Sequence, residues 1–166
     1  MSMHTQAQRA PLGLYTAEER KRRDATIWTP VQVVLAPVQF LVFLVSLWLV
    51  LRFLATGEGY VIATWSIVVK TGVLYVIMVT GAIWEKVVFG QYLLAPAFFW
   101  EDVFSFLVIG LHTAYLWALF SGALAPEPLM LLALAAYAAY VINAVQFVLK
   151  LRAARLQATT LSEAAT

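Results

Sequence analysis

The sequence predicts an all-α integral membrane protein, a four-helix bundle entered through a short interfacial helix. Three observations lead there. Of 166 residues, 63% are hydrophobic and only 12% charged, and the mean hydropathy is +0.83, far from the balance of a water-soluble domain. Four apolar segments run from Trp28 to Leu51, Tyr60 to Trp84, Val103 to Phe120 and Leu129 to Leu149. Each is near the ~20 residues a helix needs to cross the hydrocarbon core. The basic residues lie mostly outside these segments, which is how a multi-pass protein marks its topology.

The organisation follows in order: residues 1–27 as a polar leader, 28–150 as the transmembrane domain and 151–166 as a polar tail. In the leader, Thr16 and Glu19 have capping-box spacing, so a short helix is expected to lead into the membrane. The first apolar run is too long for a signal-peptide core and no small-residue cleavage site follows it, so the first span is expected to stay in the mature chain. That span carries Pro37, which leaves the carbonyl of Val33 without its usual donor and predicts a kink. Gln32 and Gln39 are seven residues apart and share a face, suited to satisfy that carbonyl or to reach a ligand. "ATGEGY" and "SGALAPEP" are glycine-containing turns, short enough to make the helices they join antiparallel neighbours. In the last span Ala135 and Ala139 make a small-xxx-small pattern that permits close helix approach.

Arg9, Arg20, Lys21, Arg22 and Arg23 precede the first span, and Lys150, Arg152 and Arg155 follow the last. Lys86 lies in the second connection, Arg52 in the first, and the third has no Lys or Arg. Both termini and the second connection are therefore expected in the cytoplasm. The basic ends are read as topology determinants and contacts to anionic lipid, with no nucleic-acid partner. The chain has no cysteine, which excludes disulfides, thiolate nucleophiles and cysteine-held zinc or iron–sulfur clusters.

Chemistry has to come from the few polar groups embedded in the spans. Gln32, Glu85, Glu101, Asp102 and Gln146 are expected near the cytoplasmic interface. Gln39, Lys70 and His112 fall roughly 15–20 Å inward on three helices, with Asn143 between the layers. Glu101 and His112 are eleven residues apart, about 20° around the helix axis, and Ser105 joins the same stripe. Asp102 points about 100° away, toward the headgroups. A carboxyl group among Phe98, Phe99, Trp100 and Phe104 would have its charged form disfavoured and could serve as a general acid.

A plain structural reading stands beside each of these. Glu85 with Lys86 can be an interfacial charge pair, and Glu101 with Asp102 can simply favour the positive end of a helix dipole. His112, Asn143 and Gln146 can be interhelical staples. Lys70 is harder to explain so, because an ammonium in mid-membrane costs several kcal/mol unless paired or facing a polar cavity.

The segments "YTAEERKRRDATIW", "LAPVQFLVFLVSLWLVLRFLATGEGY", "IVVKTGVLYVIMVTGAIWEKVVFG", "LAPAFFWEDVFSFLV", "LHTAYL" and "QFVLKLRAARLQ" together resemble the 3-vinyl bacteriochlorophyllide hydratase family of bacteriochlorophyll biosynthesis, across roughly Tyr15 to Gln157. The resemblance implies a hydro-lyase that adds water across the ring-A vinyl group of chlorophyllide or bacteriochlorophyllide. It implies a bacterial inner membrane, cytoplasmic or intracytoplasmic, and a tetrapyrrole substrate carrying its own magnesium. No cofactor is expected, since the reaction is redox-neutral. Contact with other pigment-biosynthesis enzymes and formation of a homo-oligomer are left open. It supplies no catalytic set, so site residues rest on physics. Glu101 or Asp102 is expected as proton donor, Glu101 first, with His112 and Glu85 for water activation. Lys70, Gln39, Gln32, Trp100, Asn143 and Gln146 are expected to hold substrate, and His112 is the alternative ligand for its magnesium.

Three rival classes use the same features. A non-catalytic tetrapyrrole-binding or photosystem-assembly protein would bind pigment without changing its mass. A bis-histidine haem protein needs two ligands, and only His112 is embedded, since His4 lies in the leader. A transporter would exploit Lys70 and Pro37, but the chain shows no internal repeat.

Overall fold

The computed structural model describes residues 14–163, with side chains described as far as 156; the leader before Leu14, His4 included, lies outside the described residues. Five helices follow one another: α1 (Ala17–Ala25), α2 (Trp28–Thr56), α3 (Tyr60–Phe89), α4 (Phe99–Ser121) and α5 (Pro126–Glu163). Four of them, α2 to α5, are long and apolar enough to cross a membrane. The all-helical, four-span architecture is the one composition and hydropathy predict. The helices outrun the apolar segments because hydropathy marks the hydrocarbon slab, whereas backbone hydrogen bonding continues into the interface.

α1 starts at a complete capping box: Thr16 N–H donates to Glu19 Oε2 at 2.7 Å and Glu19 N–H donates to Thr16 Oγ1 at 3.2 Å. Two orphan amides of the first turn are thereby satisfied. The helix is held at the rim of the bundle by Tyr15, whose ring stacks on Phe89 at 5.8 Å while the Arg23 guanidinium lies 4.8 Å above it.

α2 packs along α3 and α4 along α5, making two antiparallel hairpins, as the short glycine turns predict. The hairpins meet along a seam where α2 touches α5 and α3 touches α4. Half of the seam is an apolar core of Phe43, Val50, Ile67, Tyr115, Met130 and Tyr137. Nearer the end that carries α1 and the later part of α5, hereafter the terminal end, the apolar cluster shrinks to Leu74, Val108 and Ala139. Polar side chains fill the difference.

The outer surface is apolar, as lipid contact requires. Trp48, Trp65 and Trp117 are each more than half exposed on the turn side, and Tyr92 and Trp100 on the terminal side, which matches aromatic belts at two interfaces.

α2 continues as one helix through Pro37. Two local expectations are corrected. Neither glutamine is spent on the freed Val33 carbonyl. Gln32 Nε2 donates instead to Thr80 Oγ1 on α3 at 2.7 Å, and Gln39 has no protein partner at either amide atom. On α5 the small residues that allow close approach are Ala133, Ala136 and Ala139, all buried, whereas Ala135 is exposed. Ala139 thus lies on the packed face as expected and Ala135 does not.

Candidate functional site

The site begins where α3 ends. Gly90 caps α3 with φ 86, a left-handed conformation that glycine adopts without a side-chain clash, and the chain then turns back over the bundle. The returning segment is apolar, with Ala95 fully buried and Phe98 nearly so. Its backbone amides therefore need partners inside the protein. Leu94 N–H donates to Asp102 Oδ2 at 2.7 Å, and Ala95 N–H reaches Glu85 Oε2 at 3.5 Å. Leu94 holds φ at 60, which a non-glycine residue rarely does. That conformation aims its amide at Asp102.

Glu85 from α3 and Asp102 from α4, 6% and 3% exposed, are thereby gathered from the two sides of the seam onto successive amides of one loop. Two carboxyl groups placed on neighbouring amides in a buried site are suited to share one proton, because like charges so close are costly to hold together. Glu101, the neighbour of Asp102, faces the other way. Its Oε2 accepts from Lys150 Nζ on α5 at 2.6 Å, and that ammonium also sits 5.3 Å from the Phe98 ring. Asp102 is thus not turned to the headgroups. α4 has neighbours on two sides, α3 and α5, so faces about 100° apart are both interior.

One layer inward, Asn143 Nδ2 donates to Ser105 Oγ at 2.8 Å, and Ser105 Oγ donates to the Glu101 carbonyl at 2.9 Å. This chain ties α5 to α4 and leaves Asn143 Oδ1 without a protein partner; Gln146 Oε1 is likewise shielded and unpartnered.

Deeper still, Lys70 Nζ lies 2.6 Å from His112 Nε2, both residues fully buried. His112 Nδ1 is 2.8 Å from the Val108 carbonyl, an acceptor, so Nδ1 carries the ring hydrogen and Nε2 accepts from Lys70. Tyr140 and Tyr137 close over the Lys70 nitrogen, their ring centres 4.3 and 5.2 Å away. Tyr137 OH in turn contacts Ser46 Oγ at 2.5 Å, which contacts Ser66 Oγ at 2.7 Å. Both nitrogens of His112 are therefore engaged, so in this arrangement neither is open to a magnesium ion or to water.

The structure brings Glu85, Asp102, Glu101, Asn143 and Gln39 to one seam, with Lys70 and His112 at its inner end. It does not bring Trp100 there. That side chain is 66% exposed, packed edge-on against Phe99 at 5.4 Å, and takes no part in enclosing the carboxyl groups. Gln32 ties α2 to α3. Glu85 and Lys86 do not pair: Lys86 Nζ donates to the Gly90 carbonyl at 2.7 Å.

Sequence reasoning missed Lys150 as a site residue because its position after the last apolar segment made it a topology marker. Its spacing from Asn143 and Gln146, seven and four residues, puts all three on one helix stripe and could have exposed it. An apolar groove of about 420 Å³ runs between α2 and α3 on the lipid side, walled by Leu41, Val45, Trp65 and Val69. None of the buried carboxyl groups reaches it.

The sequence model of the family described as 2-vinyl bacteriochlorophyllide hydratase matches residues 15–153. The chain belongs to this family. A protein of Rhodobacter capsulatus named 2-vinyl bacteriochlorophyllide hydratase is 73% identical over 148 residues, covering 89% of this chain and 85% of the relative. A protein of the same name from Cereibacter sphaeroides is 73% identical over 144 residues, covering 86% of this chain and 89% of the relative. It is the hydratase family that the sequence resembles, with the vinyl position numbered 2 in the name. No solved structure matches the chain.

Proposed function

We propose that this chain adds water across the ring-A vinyl group of a chlorophyllide-type macrocycle, with the Glu85–Asp102 pair as acid and base. Membership of the hydratase family supports the reaction. The observation that carries the site is the pair itself: two buried carboxyl groups from different helices, reached by successive backbone amides of the α3–α4 loop. Such a pair can give one proton and take one back.

Glu101, preferred from the sequence, is the partner of Lys150 and in that ion pair has no proton to give. The shared proton of Glu85 and Asp102 passes to the terminal vinyl carbon, making a methyl group and a cation on the adjacent carbon, where the macrocycle delocalises it. Water adds there through its oxygen. The proton it sheds returns to the carboxylate pair, leaving a 1-hydroxyethyl group. Atoms and charge balance with water alone. The reaction on this reading draws on no nucleotide, flavin or iron, and the magnesium is the substrate's own.

The same reading places the protein in a bacterial inner membrane, cytoplasmic or intracytoplasmic, with both termini on the cytoplasmic side. The Lys/Arg distribution supports that orientation.

The test is conversion of a vinyl-bearing chlorophyllide by detergent-purified protein in ¹⁸O-labelled water, with nothing else added. The expected product gains the mass of one labelled water. A requirement for a redox cofactor, or label entering from molecular oxygen, would show a hydroxylation instead, and binding without mass change would leave a pigment carrier.

A further inference from the structure

Between the carboxyl pair and the Lys70–His112 pair lies a set of amide groups that the protein itself leaves unanswered. Gln39 is 1% exposed and has no hydrogen-bond partner at Oε1 or Nε2. Asn143 is 8% exposed with Oδ1 unpartnered, and Gln146 Oε1 is shielded and unpartnered. Ser105 Oγ already donates to a carbonyl, so it must accept from Asn143, which fixes Nδ2 toward Ser105 and leaves the buried Oδ1 as the unanswered atom. Buried amides without partners in an apolar interior are costly, and native proteins rarely keep them without a ligand or a water.

These groups lie within about one helical turn of one another in depth. Phe43 packs on Tyr140 and Ser46 contacts Tyr137, which sets α2 and α5 antiparallel with Gln39 level with residues 143 and 144. Lys150, bonded to Glu101, marks the level of the carboxyl groups on α5. Gln146 is then ~6 Å inward of that level and Asn143 ~10 Å.

We propose that Gln39, Asn143 and Gln146 hold the reactant water, one to two helical turns inward of the acid–base pair, and that these residues position it for capture of the cation. The inference rests on the hydration reading above. The chemistry of the donor set points to water used as a nucleophile. The unanswered atoms comprise three carbonyl oxygens and one amide nitrogen, an acceptor-rich set. Acceptors bind water through its hydrogens and leave an oxygen lone pair directed outward, which is what a carbocation needs. After the carbon–oxygen bond forms, the oxonium proton returns to the Glu85–Asp102 pair, which regains what it gave.

Deuterium exchange tests this. Protonation of the vinyl terminal carbon in D₂O followed by loss of a proton returns vinyl substrate that carries deuterium, and capture by water competes with that return. Gln39→Met removes no protein–protein hydrogen bond, so a purely structural Gln39 would leave both outcomes in their original ratio. We expect Gln39→Met to lower hydration on the order of tenfold while exchange into recovered substrate persists, so that the ratio of exchange to hydration rises. Asn143→Leu should move the ratio in the same direction. The proposal is overturned if Gln39→Met hydrates at the wild-type rate, or if exchange and hydration fall together with pigment still bound. Wild-type product without deuterium in its new methyl group would instead sink the acid-catalysed reading itself.

Discussion

Glu101 and Asp102 are adjacent in sequence, both buried, and differently employed: one faces Lys150 on α5, the other Glu85 on α3. Helical periodicity gave the angle between them and put Glu101, Ser105 and His112 on one stripe, and all three are buried as that stripe implies. What periodicity could not give is the identity of the helix each face meets, because the angle around one axis says nothing of the neighbours. The Glu101–Lys150 pair makes a testable point at this scale. Glu101 has a side chain only 8% exposed and Lys150 one 27% exposed, so Lys150→Met strands a carboxylate in an apolar surrounding. The expected cost is roughly 1–3 kcal/mol, below that of a fully buried pair because Lys150 keeps some solvent. Adding Glu101→Gln to Lys150→Met should recover most of it. Unfolding midpoints in detergent for the four proteins of the cycle measure this, and additive losses would mean that the two groups do not depend on each other.

At the scale of elements, the four spans were legible because an apolar run of membrane length has few other uses. The capping box at α1 was equally plain, since Thr16 and Glu19 need only local spacing. The α3–α4 loop was not. "QYLLAPAFF" is mostly apolar, and nothing in its composition says that its amides at Leu94 and Ala95 turn inward to meet carboxyl groups. The loop, α1 and the end of α5 gather at one end of the bundle, and the excess of Lys and Arg there sets the expected orientation. A reporter active only in the cytoplasm, fused after Gln157, should be active. Activity of a periplasm-only reporter at the same position would place this end, and the carboxyl pair with it, on the opposite side.

At the scale of the whole molecule, two closely packed hairpins meet along a seam that carries the buried ionisable groups of the spans. Polar residues in lipid must be answered from within the protein, so the seam is where function and folding compete for the same side chains. Lys70 with His112 and Glu101 with Lys150 are answered by each other; Gln39 is not. Glu85 and Asp102 come from different hairpins and are brought together only by the assembled bundle, which is why the sequence offers each as a candidate but not the two as a pair. The most direct test is turnover of Glu85→Gln and Asp102→Asn, singly and together, in correctly inserted protein, beside pigment binding in the same samples. Each single variant should lose ~10²-fold or more in turnover with binding retained. The double variant should be little worse than either, because the pair acts as one unit. Near-wild-type turnover in the double variant would contradict the assignment.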